Sequence, residues 1–76
     1  MPTLESGQRV LFANVDGVHR AMVFDDVGHY LGDIETPQNL SVPRGSVRTF
    51  IQAKAAEYGL TATPLRYAGY AFDLNK

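Results

Sequence analysis

Two imidazoles, a few carboxylates and one arginine-rich segment are the side chains of this 76-residue sequence that invite a chemical reading. His19 precedes Arg20, and His29 lies near Asp26 and Asp33. A general base needs an orienting carboxylate and a nucleophile beside it in a pocket. The settings of Ser41 and Ser46 do not resemble a nucleophile elbow. Both histidines are therefore expected to be structural or superficial, no catalytic residue is assigned, and the chain is read as a non-enzyme. A metal site from His29, Asp33 and Glu35 has a workable alternation, because residues two apart on a strand share a face. Acidic residues near strand turns are common without any ion, so no metal and no other cofactor is expected.

The segment Arg44-Gly45-Ser46-Val47-Arg48 is more suggestive. It sets two arginines at the start of an expected helix, where the macrodipole favours anions instead. Arginine forks, free backbone N–H groups and the Ser46 hydroxyl could converge there on an anion. Arg44, Ser46 and Arg48 are thus the candidate anion-binding residues. The anion is expected from within the chain, from Asp25, Asp26, Asp33 or Glu35, ahead of an external phosphate or a partner carboxylate. With Lys54, Arg66, Tyr67 and Tyr70, the same arginines could also offer charge and stacking to a nucleic acid. An overall acidic balance, pI about 6.0, opposes that, because phosphate attraction normally demands a basic domain.

Charge is unevenly divided. Residues 1–41 hold two cations against six carboxylates, a net −4, and residues 42–76 hold five against two, a net +3. At this length one domain is expected over 1–76, with residues 1–7 a frayed lead-in. The sequence has no cysteine, so disulfides and thiolate metal sites are excluded. Oligomerisation is then the expected source of any extra stability. No run of 18 apolar residues exists, and residues 1–7 lack a basic and an apolar region. No membrane partner is expected, and the location expected is cytoplasmic.

The elements that would position these residues are legible in outline. Residues 8–15 and 18–24 read as two strands joined at Asp16-Gly17, a pair that accepts the positive φ values of a tight hairpin turn. Residues 25–28 read as a second turn and 29–35 as a third strand. Residues 36–43 read as a loop with two prolines. A helix follows, with Ser46 as N-cap, an apolar stripe at Val47, Phe50, Ile51, Ala55 and Tyr58, and Gly59 and Leu60 as its C-terminal stop. Residues 61–64 lead into a last strand at 65–74. The expected fold class is α+β, a mostly antiparallel four-stranded sheet of order β-β-β-α-β with one amphipathic helix on one face.

The hairpin register then sorts side chains into two faces. One carries Leu11, Ala13, Val15, Val18, Met22 and Phe24, with Arg9 and Arg20 toward its edges. The other carries Val10, Phe12, Ala21 and Val23, with Asn14 and His19 near the turn. Both are apolar, whereas an antiparallel sheet with one wet face alternates apolar with polar. One helix of about 20 Å covers one face. Val10, Phe12, Ala21 and Val23 are the expected partner-binding surface. The function expected is a small protein-binding module, a regulator or inhibitor of a larger complex, whose partner is another protein or a second copy in a homodimer. The alternative is a nucleic-acid- or anion-binding accessory module.

Overall fold

The computed structural model describes residues 2–39, 44–66 and 68–76. Five strands and one helix follow one another as β1 (Arg9–Val15), β2 (Val18–Phe24), β3 (Tyr30–Ile34), α1 (Arg44–Ala56), β4 (Thr61–Leu65) and β5 (Ala68–Asn75). The sheet is antiparallel throughout, in the spatial order β3-β2-β1-β5-β4. The α+β class is as expected, with five strands in place of four. The additional strand is β4, which takes the residues read as a lead-in. Pro64 is the reason for the difference. A proline breaks a central strand, but at a sheet edge its missing N–H faces no neighbour, and here Pro64 pairs opposite Phe72 on its one paired side.

The first hairpin forms through the residues that signal it. Asp16 and Gly17 take φ values of 53° and 80°, and Asn14 Oδ1 accepts the Gly17 N–H at 2.9 Å. Val15 pairs with Val18, Leu11 with Met22 and Val10 with Val23, which is the expected register. The second turn is held by Asp25, whose Oδ1 accepts the N–H groups of Val27 and His29 at 3.0 and 2.8 Å.

The helix begins at Arg44, two residues before the expected cap, so Ser46 lies inside its first turn. Its C-terminus matches expectation. Gly59, at φ 71°, donates to the carbonyl of Ala56, and Leu60 donates to that of Ala55 at 2.9 Å. This is a Schellman closure, and it turns Leu60 back into the core. Val47, Ile51 and Ala55 are fully buried, and α1 packs on β4 and β5. Tyr58, counted in the stripe, lies beyond α1 and is exposed.

The core lies between that helix and one sheet face. Val10, Phe12, Ala21, Val23, Ile34, Ala62, Phe72 and Leu74 meet Val47, Ile51 and Ala55 there. Leu4, in the segment read as a frayed lead-in, joins the same cluster with 4 % of its surface exposed. Buried Gln8 helps hold it: its Oε1 accepts the Glu5 N–H at 2.9 Å, and its Nε2 donates to the Thr3 carbonyl. Gly7 also donates to the Leu74 carbonyl at 2.8 Å. Nearby, Gly32 at φ 135° leaves room for Pro2, whose Cδ would lie 3.3 Å from a Cβ at that position.

Two stability effects follow. Leu4→Ala should cost about 2–5 kcal/mol in urea unfolding, as for other buried leucines; a loss below about 0.5 kcal/mol, the surface range, would mean that this segment is frayed. Gly32→Ala should cost about 1–3 kcal/mol through its backbone angle and the Pro2 ring; an unchanged midpoint would refute that account.

Candidate functional site

The four residues expected to bind a partner lie in the core. Val10, Ala21 and Val23 have no exposed surface and Phe12 has 4 %, so they form no binding surface. The alternation that groups them is correct, but the helix and the N-terminal segment together close over their face. The hairpin is apolar on both sides, and what separates the sides is Arg9 and Arg20, which share the other one. A charged guanidinium under the helix would be desolvated at a cost of several kcal/mol. The face that carries the arginines is therefore the outer one.

That outer face holds Leu11, Ala13 and Val15 from β1 and Val18, Met22 and Phe24 from β2. Leu11, Val15 and Val18 are 36, 38 and 49 % exposed, while Ala13, Met22 and Phe24 are half-buried. Two ion pairs are set among them. Arg9 Nε donates to Asp73 Oδ1 at 2.8 Å, across the β1–β5 pair that places these residues opposite each other. Arg20 grips Asp33 with two donors, Nε to Oδ2 at 2.7 Å and Nη2 to Oδ1 at 3.1 Å. Tyr30 completes this second group. Its hydroxyl donates to Asp33 and accepts from Arg20 Nη2 at 3.1 Å, and its ring packs 5.7 Å from that of Phe24.

The protonation of this network follows from its hydrogen bonds. The Arg20 guanidinium, aided by the Tyr30 hydroxyl, holds the Asp33 carboxyl below the usual carboxylate range, against some desolvation. Arg20 is raised above its ordinary value, first by its bond to Asp33 and then by Tyr30. The Tyr30 phenol is raised, chiefly because it donates to a carboxylate. Asp25 is lowered by the backbone N–H groups it accepts, that of His29 foremost.

Beside the Arg9–Asp73 pair the face dips into a cleft of about 620 Å³. Leu11, Phe24, Leu65 and Ala71 give it apolar walls, and Asp25, Asp26, Asp73 and Arg9 are polar groups at its margin. No sequence signal marked this cleft, because it needs the β2–β3 turn and β5 brought to the same end of the sheet.

The other candidate groups are dispersed. Arg44 opens α1, and its side chain lies outside the described residues; Ser46 is half-buried and Arg48 exposed. Two of the four carboxylates expected to meet them are committed elsewhere. Asp33 is held by Arg20, and Asp25 is held by its own turn, with His29 Nδ1 3.6 Å from its Oδ2. Tyr67 lies outside the described residues. Among the described residues no group of three metal-ligating side chains converges, so His29, Asp33 and Glu35 do not form a site. His19 packs against Phe12 at 5.6 Å. Its backbone is bracketed by the Gln38 side chain, whose Oε1 accepts from the His19 N–H at 2.9 Å and whose Nε2 donates to the His19 carbonyl at 3.1 Å.

No helix among the described residues is long and apolar enough to cross a membrane. Compared with known proteins, the chain matches no family model, no curated protein and no solved structure.

The Asp33 network predicts a pH effect. Because the folded-state pKa is depressed, its stabilising contribution is complete above the unfolded carboxylate value, about 3.9, and disappears as pH falls through the folded value. Wild type should therefore exceed Asp33→Asn in stability at neutral pH, with the gap closing below about pH 4. Chemical unfolding of both proteins over a pH series measures it. A gap that stays constant into strong acid would exclude this role for Asp33.

Proposed function

We propose that this chain is a small non-enzymatic protein-binding module that acts through the outer face of its sheet. The role this suits is regulation or inhibition of a larger complex, carried out in the cytoplasm. The observation that carries the reading is the apolar run Leu11, Ala13 and Val15 on β1, joined to Val18 at one end and to Met22 and Phe24 at the other, on the face away from the core. Contiguous apolar surface of this kind marks interaction sites more often than idle surface. The company it keeps supports this, since aromatic residues, methionine and arginine are enriched at interfaces, and Phe24, Tyr30, Met22, Arg9 and Arg20 lie here together.

Anion or nucleic-acid binding at Arg44, Ser46 and Arg48 has one supporting observation, the exposed Arg48 just past a helical first turn that has no acidic residue. The acidic overall balance weighs against it, and the outer face is the stronger reading.

The test is capture from the native source with wild type and Leu11→Glu as paired baits, with bound proteins identified by mass. Leu11 is partly exposed, so the substitution should leave folding within about 0.5 kcal/mol of wild type. Affinity for a genuine partner should fall at least tenfold, about 1.4 kcal/mol, because a carboxylate would be desolvated in the contact. Identical capture by both baits would exclude the outer face as the binding surface.

A further inference from the structure

We propose that the occupant of the outer face is the same face of a second copy, two sheets stacking into a sandwich with the helices outside. This rests on the reading of that face as a protein-binding surface and names the partner.

Size is the first argument. Five strands about 4.8 Å apart, with central strands of seven or eight residues rising about 3.3 Å each, make a sheet close to 24 Å square. This agrees with the 28 × 25 × 22 Å extents of the whole molecule. One face is then about 600 Å², and two copies together remove about 1,200 Å² from water, the lower bound for a specific interface. A contact on only part of the face, or along one edge, would fall short.

Charge is the second argument. Arg9 is closed onto Asp73 and Arg20 onto Asp33 within the same copy. Each copy therefore presents a neutralised surface to its twin, although the two halves of the chain differ strongly in charge. β2 ends at the Asp25–Asp26 turn, and β5 runs to Asn75 beside Lys76 at that same end of the sheet. A two-fold axis along the strands, over β1, exchanges the left and right sides of the sheet while keeping its ends. It sets the β2–β3 turn of each copy over the β5 end of the other, so that the two acidic turns lie on opposite sides and do not meet. The stacked sheets would cross at the angle that strand twist imposes, as in other aligned sandwiches.

Sedimentation velocity of the full chain over a broad concentration series tests the proposal. Wild type should show a reversible monomer–dimer equilibrium. Leu11→Glu, and separately Val18→Glu beside the turn, should raise the dissociation constant at least tenfold while circular dichroism stays native. Ala53→Glu, on the exposed surface of α1, should leave it unchanged. A wild type that remains monomeric throughout would overturn the proposal, as would a dimer that survives both outer-face substitutions with its affinity intact. A monomer that still captures a foreign protein in a Leu11-dependent way would overturn the second copy alone and leave the binding face standing. Loss of both self-association and Leu11-dependent capture would overturn both.

Discussion

The Asp16–Gly17 turn fixes the register of β1 against β2, and register in a sheet is parity: each side chain is committed to one face or the other. A slip of one residue would bring Leu11 and Ala13 under the helix, and Arg9 with them. The aliphatic residues could exchange places at modest cost. The guanidinium groups could not, because each would lose its carboxylate and its water together. Arg20 is held at two points by Asp33 and bridged by Tyr30. The polar residues of this hairpin, more than its apolar ones, decide which way the sheet faces.

Once the face is set, the chain must cover it from two distant places. The helix packs over β4 and β5, while Pro2 and Leu4 come in from the N-terminal side, Pro2 meeting the flat surface of Gly32 on β3. A buried amide, Gln8, holds that segment by satisfying backbone groups on either side. A domain this small buries only about 60 % of the surface its unfolded chain exposes. Each of these contacts is therefore a sizeable part of a small net stability. The outer face, by contrast, has only ion pairs and an aromatic edge laid across it.

Local structure with a local cause was legible in the sequence. The tight turn at Asp16-Gly17, the turn ending at Gly28 and the helix stop at Gly59-Leu60 depend on residues within a few positions of one another, and each is where its signal placed it. What was less legible depends on distant partners. Pro64 fits a strand only because that strand is at an edge, and edge position depends on the whole topology. Leu4 is buried by residues far along the chain, so nothing beside it announces burial. The choice of face lay in between. The shared parity of Arg9 and Arg20 is legible in the sequence, but with both faces apolar these two charges are all that distinguishes them. The cleft had no sequence signal, since its walls come from β1, β2, β4 and β5.

The position of β5 has a consequence for how the molecule comes into being. It lies between β1 and β4 and carries Phe72, the largest fully buried side chain among the described residues. While the chain is being synthesised, the first hairpin can form early, but half of the sheet has nothing to dock on until residues 68–75 have left the ribosome. Throughout that interval the core side of β1 and β2 lacks the cover that Phe72 and Leu74 supply. The nascent chain is thus most exposed to unwanted association until β5 has emerged, and only then can the core close.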